Sequence, residues 1–166
     1  AGRDRRARMD LRSRERNPWE GDWVSNYNWI KDEPLFERIP RATETPFCGD
    51  LMDFQYYKVI PNQVLLGWNG DRDFDDIWSG MVVGWVHSPA SMVAQCRWGR
   101  GRLLVTTLKL ESAFGDDPVA TILLQNLIAF LFSSRFQPKK DLHAGAKAPG
   151  PETGKPRRER RSSMKV

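Results

Sequence analysis

Three stretches of this chain hold residue types and spacings that could do chemistry. Residues 71–82, DRDFDDIWSGMV, set Asp71, Asp73 and Asp75 at alternate positions, as a calcium loop sets its first three ligands. Such a loop needs glycine at its sixth position for the sharp turn and a bidentate glutamate at its twelfth. Asp76 and Val82 stand there instead, so the stretch reads as an acidic, solvated loop. The second stretch runs Gly99-Arg100-Gly101-Arg102 into LLVTTLKL. A dinucleotide-binding loop has a third glycine and opens a helix, whose N–H groups meet the pyrophosphate. Here the third glycine is missing and an apolar strand follows. An arginine-glycine RNA-binding segment is longer and has no such strand behind it. Gly99 to Gly101 therefore read as a tight hairpin turn joining strands at 91–98 and 102–110.

The third set is nucleophilic. Cys48 and Cys96 are the only cysteines, and His87 and His143 the only histidines. No CxxC or Cys/His cluster exists, which argues against a zinc site. A Cys48–Cys96 disulfide is the one pairing the count allows, with nothing further in its favour. Cys96 falls inside an expected strand without a G-x-C-x-G elbow, and His87 precedes Ser88-Pro89 with no acid two positions on. Neither marks a nucleophile–base dyad. A glycosidase-type carboxylate pair needs a defined separation across a cleft, which spacing along the chain does not reveal. The aromatics at 19, 23, 27, 29, 68, 78, 85 and 98 offer either a sugar-stacking platform or ordinary core packing. No catalytic, cofactor-binding or metal-ligating residue is assigned from these patterns, and no cofactor is implied.

The elements that would position such residues lie in the middle of the chain. Residues 1–17 hold seven arginines against three acids (+4), and residues 138–166 hold nine basic residues against three acids (+6). The whole chain carries +5, so residues 18–137 are acidic, at −5. Every tryptophan and tyrosine lies in that acidic core. The two basic ends have too little apolar surface to offset the entropy of ordering and are expected to be disordered. The remaining 120 or so residues form one domain. Its longest apolar run, Val119 to Phe132, is too short to span a bilayer, and no apolar signal segment opens the chain.

Within the core, Pro34 opens a short helical turn at 35–39, stopped by Pro40. Strands are expected at about 52–59, 63–68, 81–87, 91–98 and 102–110. Residues 118–132 form the clearest element. Asp117 caps a helix with Pro118 at its first position, and Asp116 and Asp117 complement the positive end of its dipole. Val119, Ala120, Leu123, Leu124, Leu127, Ile128 and Leu131 recur at helical spacing, and Ile122 and Phe132 widen the stripe. A helix buried on most of its surface follows.

The blocks EPLFERIP, DFQYYKVIPNQVLLGW, GWVHSPASMVAQCRWGRGRLLVTTLKLES and GDDPVATILLQNLIAFL, in that order, resemble the C-terminal part of the glutamine-amidotransferase-like domain of bacterial glycoside hydrolase family 2 proteins. The resemblance spans about residues 18–133 and is most specific in its last two blocks. It implies an α/β fold: a flavodoxin-like, class I amidotransferase-like three-layer sandwich, present here in its C-terminal part. It implies a non-catalytic accessory domain or fragment in carbohydrate metabolism, whose partners are the rest of a glycoside hydrolase chain or its subunits. The hydrolase carboxylates belong to a TIM barrel outside this chain, so no family catalytic residue maps onto it. Two other readings stay open. One is a free-standing amidotransferase-like or trehalose-utilisation-like hydrolase, which requires Cys96 or His87 to line a pocket. The other is a nucleic-acid-binding module acting through the basic tails, although no RNA-binding motif is present.

Overall fold

The computed structural model describes residues 9–17, 26–41, 49–70, 72–83 and 90–142. Seven strands and one helix follow in chain order: β1 (Asp10–Ser13), β2 (Asn26–Lys31), β3 (Leu51–Asp53), β4 (Gln63–Leu66), β5 (Ile77–Val83), β6 (Ala90–Trp98), β7 (Gly101–Thr106) and α1 (Pro118–Leu131). The strands form one open sheet in the order β1-β4-β6-β5-β2-β3, with β7 also paired to β6. All the strand ladders are antiparallel. The described residues thus form an α/β fold, a mostly antiparallel open sheet with one helix.

β6 is the axis. Its first seven residues are buried, and it pairs with β4, β5 and β7. Because side chains alternate along a strand, the sheet feeds two cores. Ile30, Met52, Trp78 and Val93 join Leu123, Leu127 and Phe130 of α1 in the larger one. Trp29, Ile77, Ala94 and Cys96 meet Leu65, Trp68 and Leu142 in the smaller one. At Gly80 the strands come too close for any side chain: a Cβ there would lie 2.5 Å from the Ala90 carbonyl oxygen and 2.9 Å from the Trp29 ring. Glycine is what lets β5 pass between them.

The expected hairpin is present. Trp98 pairs with Gly101 across Gly99-Arg100, and Gly99 has φ 58 while Arg100 is not in the positive region, as in a type II′ turn. The helix also starts where expected. The Asp117 carboxylate accepts the Val119 and Ala120 amides at 2.9 and 3.1 Å, satisfying two otherwise orphaned donors. The turn at Pro34–Phe36 is a short 3₁₀ segment.

Several expectations are corrected. The strand expected at 52–59 is only Leu51–Asp53; the chain then turns at 56–59, which sends Val59 and Ile60 into the core. The strand expected at 102–110 ends at Thr106. There the Thr106 hydroxyl accepts the Leu108 amide, and the chain turns Leu108 and Leu110 inward. The third strand starts four residues earlier than expected, at Ile77, and residues 84–89 lie outside the described residues. The helix is buried on one face only: Ile128 and Leu131 stand on its exposed side and Phe132 at its C-cap. The inner ends of both basic tails are ordered. Asp10–Ser13 form an edge strand on β4, because a backbone ladder needs no apolar side chain. Residues 138–142 pack on the sheet, for reasons given below. Residues 1–8 and 143–166 lie outside the described residues. Among the described residues, no helix is long and apolar enough to cross a membrane.

The helix cap supplies a pH prediction. The Tyr56 hydroxyl donates to Asp117 at 2.7 Å, and Lys58 lies at 3.3 Å. Chiefly through the Tyr56 bond, the Asp117 carboxyl is held below its ordinary range. A depressed carboxylate contributes stability that is fully present above its unfolded value, near pH 4, and is lost as pH falls through the folded value. Tyr56→Phe should therefore lower the melting temperature by several degrees at pH 7 and by much less at pH 3. Thermal melts at the two pH values check this.

Candidate functional site

A dense network of polar side chains among the described residues lies at the loop 69–76 and what it holds. The Asp73 carboxylate accepts the Asn69 amide at 2.7 Å, and the Asp73 amide donates back to the Asn69 carbonyl at 2.8 Å, which closes the loop on itself. A 3₁₀ turn at Phe74–Asp76 then aims Asp76 under the sheet edge, where it is 2% exposed. Burying a carboxylate is costly unless donors surround it. Asp76 receives Gln95 Nε2 at 2.9 Å and the Lys139 amide at 3.0 Å on Oδ1, and the Lys140 amide on Oδ2. Lys140 Nζ meets Asp73 and Lys139 Nζ meets Asp75, each at 2.5 Å. The Lys139 ammonium holds the Asp75 carboxyl below its ordinary range and is itself raised by it.

The acidic loop is therefore a clamp on residues 138–142, not a solvated loop. β5 ends its ladder with β6 at the Ile77–Ala94 pair. Beyond that point residues 139–142 take its lane. The Arg97 amide donates to the Lys140 carbonyl at 2.7 Å and the Leu142 amide to the Arg97 carbonyl at 3.3 Å, making a parallel bridge between Arg97 and Asp141. Leu142 then covers Trp68 and Cys96.

Of the calcium-like positions, Asp71 lies outside the described residues, and Asp73, Asp75 and Asp76 bind lysines and backbone amides. The described residues contain no group of three or more His, Cys, Asp or Glu placed to hold a metal. Cys96 is a free thiol at 0% exposure, and burial pushes its pKa up to about 11. Cys48, His87 and His143 lie outside the described residues, as do Trp19, Trp23 and Trp85. Of the aromatics considered for a sugar platform, Trp29, Trp68 and Trp78 are buried in the cores, whereas Tyr27 and Trp98 are about half-exposed. Trp68 Nε1 spends its hydrogen bond on the Gln95 carbonyl at 2.9 Å.

One residue escaped the sequence reading. Lys31, at the end of β2, is 5% exposed. Its ammonium donates to the Phe74 carbonyl at 2.7 Å and sits 4.1 and 5.2 Å from the Phe74 and Trp78 ring centroids. Burial lowers its pKa, against the opposing pull of Asp50 and Asp75. The signal was its register: in NWIK, Lys31 shares the strand face of Trp29. Lys31 props the acidic loop from below, while Asp76 grips the strap above.

The fold and site define an open antiparallel sheet whose second face is closed by an acidic clamp. The chain belongs to a family described as a domain of unknown function (DUF8487), whose profile matches residues 50–147. That span contains β3 to β7, α1, the clamp and the strap. No curated protein and no solved structure matches the chain.

The clamp predicts that Asp76→Ala, which leaves two backbone amides and the Gln95 side-chain amide without their acceptor, costs about 2–4 kcal/mol. It should raise backbone hydrogen exchange selectively at Lys139, Lys140 and Leu142, and leave the β6–β7 hairpin protected. Exchange followed by mass spectrometry checks this.

Proposed function

We propose that this chain is a non-catalytic accessory domain of a family 2-like glycoside hydrolase, with a structural or cleft-shaping role beside the rest of its hydrolase. The observation that carries the reading is the state of Cys96. An amidotransferase-type nucleophile must be a thiolate near neutral pH, at an exposed turn. Cys96 lies within the central strand, fully buried, with its pKa raised to about 11. The chain keeps the hairpin and helix blocks that resemble the family, and its buried cysteine serves packing.

The same observation weakens the reading as a free-standing amidotransferase-like hydrolase, because Cys96 is fully buried and would have to leave its role to His87. The nucleic-acid reading loses part of its charge, since Lys139 and Lys140 are held by Asp75 and Asp73. The proposal extends to a flavodoxin-like three-layer sandwich for the whole domain. That extension requires parallel strands and a second helical layer from chain beyond the described residues, and the antiparallel ladders favour it least.

The test starts from thiol chemistry. In a Cys48→Ser background, Cys96 should resist iodoacetamide in the folded protein at pH 7.5 and react on denaturation. The chain alone should release neither ammonia from glutamine nor nitrophenol from nitrophenyl glycosides. It should co-purify with a family 2-like catalytic barrel encoded in frame or beside it. Glutaminase activity abolished by Cys96→Ser, or a genomic neighbourhood without such a barrel, would overturn the proposal.

A further inference from the structure

From Pro118 to Ser134 the chain carries no charged residue. A helix that buries one face normally turns charges outward on the other. Around this helix the solvent side instead shows Ile128 at 49%, Leu131 at 39% and Phe132 at 86% exposure. Residues 128 and 132 form one i, i+4 row, and residues 129 and 133 form the next. The second row borders a cavity of about 270 Å³, walled also by Leu35, Trp78 and Phe130. A knob and a hole therefore stand side by side on the same surface. That is what an isologous contact needs, because each copy must offer both halves of the fit.

We propose that the chain forms a two-fold dimer through the outer face of α1, in which Phe132 of each copy fills the cavity of the other. The fit is sound in size: a cavity of about 150 Å³ suffices for a benzene ring. It is sound in kind, because Trp78 and Phe130 meet edge to face at 5.0 Å and 70°, and a third ring extends that packing. Charge selects a second copy over an unrelated apolar segment. The cavity rim carries Glu37, whose carboxylate has no partner among the described residues, and Arg135. The Arg135 guanidinium binds Glu33 and remains 46% exposed. Arg135 lies three residues beyond Phe132, so the copy that inserts its Phe132 brings its own Arg135 to the facing Glu37. The inference does not depend on the hydrolase parentage.

The full chain should sediment at twice its 19.1 kDa mass. Phe132→Ala, at a site too exposed to harm folding, should raise the dimer dissociation constant at least about tenfold. Glu37→Arg and Arg135→Glu should each weaken the dimer, and an equimolar mixture of the two variants should recover a mixed dimer. Thermal melts confirm that each variant is folded. A monomer at every concentration up to the solubility limit, or a dimer indifferent to Phe132→Ala, would overturn the proposal.

Discussion

A carboxylate that has lost its water must be surrounded by donors, and in this protein Asp76 sets that requirement for half of the structure. Its donors are a side-chain amide on the central strand and two consecutive backbone amides of residues 139 and 140. Gln95 fixes the carboxylate to β6, and the carboxylate fixes the strap to the sheet. The side chains of Lys139 and Lys140 repeat the grip on Asp75 and Asp73. The Lys139–Asp75 pair is exposed and contributes little, whereas the Lys140–Asp73 pair is largely buried and holds the register together with Asp76. Without this clamp, Leu142 would not reach Trp68 and Cys96, and the second core would lie open.

The first face of the sheet is organised differently. There α1 supplies a row of large aliphatics, and burying each contributes roughly 1.5–3 kcal/mol. Polar groups anchor its start, where Asp117 caps the helix and Tyr56 and Lys58 hold Asp117. One layer is thus driven by apolar area and the other by a few directed hydrogen bonds. The two meet on β6, where Met92 and Val93 serve the first and Ala94 and Cys96 the second.

The parts legible from sequence were those whose cause is local. Asp117-Pro118 before a helical stripe, and Gly99-Arg100-Gly101 between two apolar runs, declare a cap and a turn within a few residues. The clamp was not legible, because its halves lie 64 residues apart and nothing in DRDFDD or QPKKDL names the other. The same acids, seen alone, resembled a calcium loop; in the fold, ammonium groups and backbone amides take their oxygens. The ordered inner ends of the basic segments were missed for a related reason. Composition counts apolar side chains, whereas Asp10–Ser13 are held largely by backbone pairing and residues 139–142 by the distant acidic loop and two backbone bonds to Arg97. Cys96 was placed correctly in a strand, but its inertness required knowing what lies above it.

β5 gives up its lane at Ile77, and the strap fills it only after the whole of α1 has been made. During synthesis, at roughly 5–20 residues per second, the β6–β7 hairpin can close at once because its partners adjoin. The second face cannot. Trp68, Ile77 and Cys96 wait uncovered until Leu142 has cleared the ribosome. The nascent sheet therefore passes through a stage in which one side is sealed and the other offers apolar surface and an unfilled lane. For a cell making this protein, the vulnerable moment lies between the helix and the strap, a stretch of chain barely ten residues long.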